Sequence, residues 1–512
     1  MAFPPQPGRS VPALAAAILV LHWLLLPSVS FVQAQEGRLV GGTAQVQRII
    51  DLVSWARRAE IEMARVDIRP STDTSASAKF LFESRGLGLV LNAPARRGEA
   101  IVTLPPRARF RVPAFDSALR SLIDEFNEQH DNAIDPMTAL ALGLMYERSR
   151  ADSPWRAWLR MLPDPIESML EWNDVELWPV EQLYVKELRE ERIRNLEAVY
   201  ESVITPFIDT YESDLVGVDF TIEAFVWAAV IAQTRGLHES EKNGLSLLPI
   251  VDMINHHREP NAVVVASGPN ILVRTKTSLK AGEEITIDYE MSSHVLLLLY
   301  GFVEMSENLD FYPIRLSWES KDIDYPRRLR LLEGRGLSSP WYEFRLWPSI
   351  DEPIDDDLQF AMRVMVANEH ELAILEQREK AASPDANSEI SIAHERRMLR
   401  RLLQQIHEAC PVQHAEMDAL RTYGLQHHEC YRCLSSFAYA VAAKSTIITV
   451  RDALTKRLDE LEQPQASVAE DGNPHRDWME PDTIAPADHA PFYDEDAAVQ
   501  VQQVVYLPQH EL

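Results

Sequence analysis

The 512-residue chain predicts an α+β protein: a strand- and turn-rich unit interrupted by helices, then an all-α unit. Three observations predict it. Short apolar, β-branched runs broken by polar turns occupy residues 66–104 and return at 244–304. Between them, from about Phe115 to Leu237, the chain reads as helices. After Phe302 the helical pattern resumes, from Tyr325 to about Leu461. A chain of this length exceeds one ordinary core, so two domains plus tails are expected.

In chain order, the first segment has an Arg9-containing polar start, an apolar run from Val11 to Leu26, a Pro27 break and the small-residue site Val32-Gln33-Ala34. That is the layout of a secretory signal peptide over residues 1–34. A helix of about 16 residues spans roughly 24 Å, short of a hydrocarbon core of about 30 Å, so cleavage rather than anchoring is expected. No later segment reads as long and apolar enough to span, so no membrane contact is expected after cleavage.

Ile49, Leu52, Val53, Trp55 and Ala56 recur at helical spacing between Gln45 and Glu62. Val66-Asp67-Ile68 and Phe80-Leu81-Phe82 read as short strands around a polar turn. Arg85-Gly86-Leu87-Gly88 holds a lone G-x-G with no helix after it, which reads as a tight hairpin turn rather than a dinucleotide fingerprint. A turn at Arg96-Arg97-Gly98-Glu99 leads into the strand Ala100 to Leu104. Helices follow at Ala118 to Phe126, Pro136 to Glu147 and Val180 to Tyr211, where Glu187, Glu190, Glu191, Arg192 and Arg194 suit a solvated face. In the second unit Leu358 to Leu375 and Ala393 to Cys410 are the clearest helices, separated by the loop Ala381 to Asn387. Residues 462–512 are rich in Pro and acid and are expected to be mostly disordered.

The densest chemistry lies from Gly244 to Glu304. An apolar run ends on Asp252-Met253-Ile254-Asn255-His256, a Pro260-Asn261 turn leads into Val263 to Val265, and a Lys280-Ala281-Gly282 turn precedes Glu284-Ile285-Thr286-Ile287-Asp288-Tyr289. The blocks DMINH, PNA, AGEEI-x-I-x-Y and YGFVE, in that order, resemble the SET-domain protein methyltransferases. Within them they resemble the branch of the Rubisco large-subunit lysine methyltransferase and the actin histidine methyltransferase.

The resemblance implies a SET domain over 45–305, split by a helical insert at about 115–237. A helical Rubisco-methyltransferase-type domain over 306–461 would then bind the protein substrate. It implies S-adenosylmethionine as methyl donor and a lysine of a non-histone protein as acceptor, with histidine as the alternative in the same branch. A catalytically silent SET-like binding module is the reading from another class. Tyr289 would be the catalytic residue, its hydroxyl facing the methyl-transfer centre. Donor binding would fall to Arg85, Gly86, Leu87, Arg235, Asn255, His256 and Tyr289. The substrate passage would be lined by Arg235, Asp252 and Phe302. Three departures bear on substrate choice: Thr234-Arg235-Gly236-Leu237 replaces Ser-Arg-x-Phe, Ser292-Ser293 replaces Ser-Asn, and His257 with Arg258 replaces a small polar residue.

The chemistry accounts for these residue types. Methyl transfer to an amine is an in-line displacement that needs positioning more than covalent help. A lysine presented neutral at pH 7 costs about 4 to 5 kcal/mol, which a desolvating aromatic passage beside a cationic sulfonium can supply.

The formal charge of -28 argues against nucleic acid as the main partner. Only Cys410, Cys430 and Cys433 are present. The Cys430-Tyr431-Arg432-Cys433 pair lacks the second half of a zinc site, so no metal is expected, and whether those thiols are free, bridged or metal-bound stays open. A monomer is expected. The leader implies the secretory pathway, or a plastid reached through the endoplasmic reticulum.

Overall fold

The computed structural model describes residues 42–71, 86–238, 245–304, 309–316, 324–338, 342–380, 391–411, 414–463, 498–500 and 502–503. The signal peptide, the Phe80 to Phe82 strand, Arg85 and the loop Ala381 to Asn387 lie outside these residues.

Helix α1 (Gly42–Arg58) buries Leu52, Trp55 and Ala56, and the Trp55 indole donates to the Pro154 carbonyl at 2.7 Å. Strand β1 (Val66–Pro70) pairs antiparallel with β2 (Leu87–Leu91), from Val66 opposite Leu91 to Pro70 opposite Leu87. The partner of Val66 to Ile68 is therefore the segment just after the G-x-G turn. Strand β3 (Ala100–Leu104) enters the main sheet.

Four long helices build the insert around a shared core. Helix α2 (Ser117–Gln129) starts at Asp116, whose side chain accepts from the Ala118 N–H. Helix α3 (Pro136–Ser149) starts at Asp135, with Pro in its first turn where a missing N–H costs nothing. Helix α4 (Tyr184–Val199) continues through a wide turn at Tyr200–Ile204. Helix α5 (Ile222–Arg235) is apolar nearly all round because it is buried on nearly every face, and it packs on α3.

The chain then returns to strands. β4 (Gly236–His238) pairs with β5 (Leu245–Leu247), and β6 (Asn255–His256) pairs in parallel with β9 (Thr286–Ile287). β7 (Ala262–Ser267) and β8 (Asn270–Thr275) form a hairpin that joins β3, giving the order β7-β8-β3 with one more strand outside β7. The outermost strand comes from the far end of the chain. Ala498–Gln500 (β12) pairs with Val265 to Ser267, and Gln502–Gln503 (β13) with Leu237 and His238, so five residues of the tail cover two sheet edges. Unpaired edge N–H and C=O groups are what such an addition satisfies.

β10 (Tyr312–Ile314) and β11 (Phe344–Leu346) pair within the second unit, around α6 (Tyr325–Glu333). The stretch Leu358 to Leu375, which periodicity reads as one helix, is two: α7 (Asp356–Val366) and α8 (Glu369–Lys380). Asn368 and Glu371 cap each other's backbone N–H at 3.0 and 2.8 Å, which starts a new helix. α9 (Ile392–Ala409) packs between α7 and α11 (Tyr431–Glu462), and α10 (His414–Gln426) also lies on α11. By length and composition α11 could cross a membrane, contrary to the sequence expectation. It instead buries Leu434, Tyr439, Ala443, Ile447 and Val450 as the core helix of this unit.

The two units meet through ionisable groups. The Tyr184 hydroxyl donates to Glu343 at 2.6 Å, and the buried His294 ring lies 3.3 Å from the same carboxylate. Burial pushes the Glu343 carboxyl up, but His294, the Tyr184 hydroxyl and Arg315 together outweigh it and hold it below the usual carboxylate range. A depressed carboxyl contributes stability above its unfolded value near 4.5, and loses it as pH falls through the lower folded value. Glu343→Gln is therefore expected to lower the melting temperature at pH 7, by the equivalent of about 1 to 3 kcal/mol. The difference from the parent should close in acid. Melting curves from pH 7 down to pH 3.5 check this, and a gap that stays constant would refute it.

Candidate active site

The site is a cavity of about 380 Å³ where the insert, the strands and the second unit converge. Its floor is the turn Val251–Met253 followed by β6. That turn opens on Ile250, a buried β-branched residue at φ 74° and ψ -51°, in the strained γ-turn region. Such strain costs about 1 to 3 kcal/mol and persists only where packing over-determines it. Here it leads into Asp252, Ile254 and Asn255, all of which line the cavity.

Tyr289 stands at the centre. Its backbone N–H donates to His256 Nδ1 at 3.0 Å and its hydroxyl donates to the Ile254 carbonyl at 2.8 Å, so both ends of the residue are fixed by the segment Ile254 to His256. The Tyr289 ring lies 5.0 Å from Tyr300 and 5.1 Å from His256, and Phe302 lies 6.0 Å from His256. These rings form one aromatic wall. The wide turn Leu296–Tyr300 delivers Tyr300, whose hydroxyl donates to the Thr234 carbonyl at 2.7 Å. Two phenols thus face one passage, each donating to a backbone carbonyl.

Arg235 closes α5. Its guanidinium donates to the Asp252 carbonyl at 2.5 Å and lies 3.8 Å from that residue's carboxylate. The carboxylate also accepts from the Trp158 indole at 2.9 Å. Burial pushes the Asp252 carboxyl up, opposed by Arg235 and Trp158. Asp252 borders the cavity, yet its carboxylate turns inward and ties the floor to the insert.

On the opposite rim the G-x-G turn makes a cradle. Gly86 has φ +70°, a conformation glycine adopts without cost. At Gly88 a Cβ would sit 2.4 Å from Glu284 Oε1 and 2.8 Å from Asn255 Nδ2, so a larger residue would push this carboxylate and amide out of their present places. Asn255 donates to Glu284 at 2.7 Å, and Ser71 donates to the same carboxylate. A small molecule in this cradle meets fixed backbone and an oriented amide rather than free charges.

The cavity brings together Gly86, Leu87, Arg235, Asp252, Asn255, His256, Tyr289 and Phe302, all named from the sequence. Arg85 lies outside the described residues. Sequence reasoning missed Tyr300, Trp158 and Glu284. Tyr300 ends an apolar run that reads as core, and the Trp158 to Asp252 contact joins segments 94 residues apart. Glu284 sat within a quoted motif, and its pairing with Asn255 has no spacing signal. Among the described residues no group of three or more His, Cys, Asp or Glu could hold a metal. Cys430 and Cys433 are bonded to each other at the start of α11, and Tyr431 between them lines the cavity.

Comparison with known proteins matches the SET domain family to residues 86–290 and the Rubisco LSMT substrate-binding family to residues 319–413. Residues 86–290 are a SET domain, and the Rubisco LSMT substrate-binding domain follows it, the pairing of the Rubisco LSMT, SETD6 and actin-histidine methyltransferases. The SET domain so defined spans every cavity residue named above except the two after the Tyr289 motif, Tyr300 and Phe302, and Tyr431. Similar curated proteins include the chloroplastic ribulose-1,5-bisphosphate carboxylase/oxygenase large-subunit N-methyltransferase of Pisum sativum. It is 25% identical over 56% of this chain and 58% of its own length. The chloroplastic fructose-bisphosphate aldolase lysine N-methyltransferase of Arabidopsis thaliana is 26% identical, over 50% and 54%. The actin-histidine N-methyltransferase of Gallus gallus is 25% identical, over 60% and 53%. The chain thus spans just over half the length of these curated relatives. A solved structure of Rubisco LSMT bound to AdoMet superposes with a TM-score of 0.67 at 19% identity, covering 81% of this chain and 93% of that one.

Proposed function

We propose that this SET-domain protein transfers a methyl group from S-adenosylmethionine to a lysine side chain of a non-histone protein. The observation that carries the reading is the passage between the Tyr289 and Tyr300 hydroxyls. It shares one cavity, of a size that suits a small cofactor, with Asn255 and the Gly86–Leu87 backbone. The residues present fit the donor. Asn255, His256 and the Gly86–Leu87 backbone would hold its polar ends, and the donor when bound supplies an electrophilic methyl on a sulfonium.

The chain's own contribution is orientation and exclusion of water. The Tyr289, Tyr300 and Phe302 rings desolvate an incoming amine and favour its neutral form. The carbonyls that these hydroxyls engage lie where an amine N–H would find acceptors. Fixed dipoles of this kind cost no reorganisation when charge moves in the transition state. The substrate-binding domain, with its own core around α11, would present the acceptor protein.

A histidine acceptor is the second reading. It is favoured by Leu237, which lines the cavity where the family pattern has an aromatic and so leaves that wall less filled. Calorimetric titration with S-adenosylmethionine, then isotope-labelled methyl transfer into a proteome extract with the modified residue read by mass spectrometry, tests both. Methyl-lysine in a discrete protein is the expected result. Methyl-histidine alone would move the assignment to the second reading, and no binding heat with no thermal stabilisation would sink both.

A further inference from the structure

His256 carries a chain of contacts that neither donor binding nor the tyrosine pair requires. Its side chain is 1% exposed, and its Nδ1 accepts the Tyr289 N–H. A ring nitrogen that accepts a hydrogen bond carries no proton, so the neutral ring holds its hydrogen on Nε2. Glu304 Oε2 lies 3.8 Å from that Nε2. Arg258 clamps Glu304 twice, its backbone N–H donating to one carboxylate oxygen at 3.0 Å and its Nε pairing with the other at 2.7 Å. Arg258 is itself anchored: it donates to Ser293 Oγ at 2.8 Å and lies 3.9 Å from Asp310. Asp310 in turn accepts the Ser293 backbone N–H.

The charges around the ring set a choice. Asp288 Oδ1 lies 3.7 Å from Nδ1, so carboxylates flank the imidazole on both sides and both favour a second proton. A protonated ring would turn an Nδ1–H toward the Tyr289 N–H, donor against donor, and release the tyrosine backbone. Arg258 is the cation that offsets this. It compensates Glu304 while leaving that carboxylate beside Nε2–H.

We propose that Arg258 and Glu304 are positioning residues: they hold His256 as the neutral Nε2–H tautomer and through it fix Tyr289. The proposal rests on the methyl-transfer reading for its catalytic meaning, and on geometry alone for the relay.

The test separates the two. Full-length chain labelled with ¹⁵N-histidine is followed by long-range ¹H–¹⁵N correlation across pH, with the His256 signals assigned by their loss in His256→Gln. The parent is expected to show a protonated Nε2 and a bare Nδ1. Arg258→Gln should raise the titration midpoint of His256 by about one unit, a tenfold gain in proton affinity. Glu304→Gln should lower it, and Arg258→Lys should restore most of the parent behaviour. Melting temperatures identify any variant that fails to fold, in which case the lysine variant carries the comparison. An Nδ1–H tautomer in the parent, or a midpoint indifferent to Arg258, would overturn the relay. Titration of the same samples with S-adenosylhomocysteine reports on the other premise. Absence of binding beside an intact tautomer pattern would overturn the methyl-transfer reading and the catalytic meaning of the relay with it.

Discussion

Tyr289→Phe is expected to cut methyl transfer by about tenfold to a thousandfold, equivalent to roughly 1.4 to 4 kcal/mol of transition-state stabilisation. The ring that packs between Tyr300 and His256 stays, so the passage keeps its shape. The hydroxyl goes, and with it the bond that ties Tyr289 to the Ile254 carbonyl just before β6. One lost neutral hydrogen bond destabilises by about 1 kcal/mol, which leaves the chain folded. Donor affinity should change much less than turnover, because Asn255 and the Gly86 turn are untouched. Single-turnover methylation, donor affinity and melting temperature measured on one preparation distinguish this from a structural role. Full activity in a stable variant would remove Tyr289 from the mechanism.

Gly301→Ala should produce the largest loss of stability. Gly301 has φ +71°, and a methyl group built on it would sit 2.0 Å from the Glu167 carbonyl oxygen. That carbonyl cannot yield cheaply, since the Trp172 indole donates to it and Ser168 beside it is bound to the Leu298 carbonyl. A left-handed alanine costs about 1 to 2 kcal/mol, and overlap with backbone adds about 1 to 3 more. Gly301 also separates Tyr300 from Phe302, so the aromatic wall should distort with it. Gly98→Ala is the control. It shares a positive φ of 79° but meets open space, so it should show only the conformational part. Equal shifts in melting temperature for the two variants would show that the contact with Glu167 has no weight.

Much of the site was legible because its residues come in contiguous motifs. Asn255 and His256 follow one turn, and Tyr289 closes another. What periodicity could not supply was the closure of distant segments. Nothing in the spacing places Trp158 on Asp252, or Val66 to Ile68 opposite the residues after Gly86 rather than Phe80 to Phe82. Tyr300 was hidden for a different reason. It ends a run of leucines, and only the widened turn Leu296–Tyr300 rotates its hydroxyl toward Thr234. Helices were read well where one face is apolar, as in α9. They were misjudged where a cap intervenes, as at Asn368, or where burial on most faces erases the pattern, as in α11.

The bond between Cys430 and Cys433 has reach out of proportion to its span. Closing so short a loop removes little freedom from the unfolded chain and contributes about 2 kcal/mol at most. What it determines is direction. It fastens the first turn of α11 at the point where Tyr431 enters the cavity wall, and where Arg432 grips the Glu167 carboxylate and the Ile166 carbonyl of the insert. The same helix then runs 32 residues through the centre of the second unit. One continuous rod thus begins as part of the rim of the site and ends as the core of the neighbouring unit, so the rim and that core share a single rigid backbone.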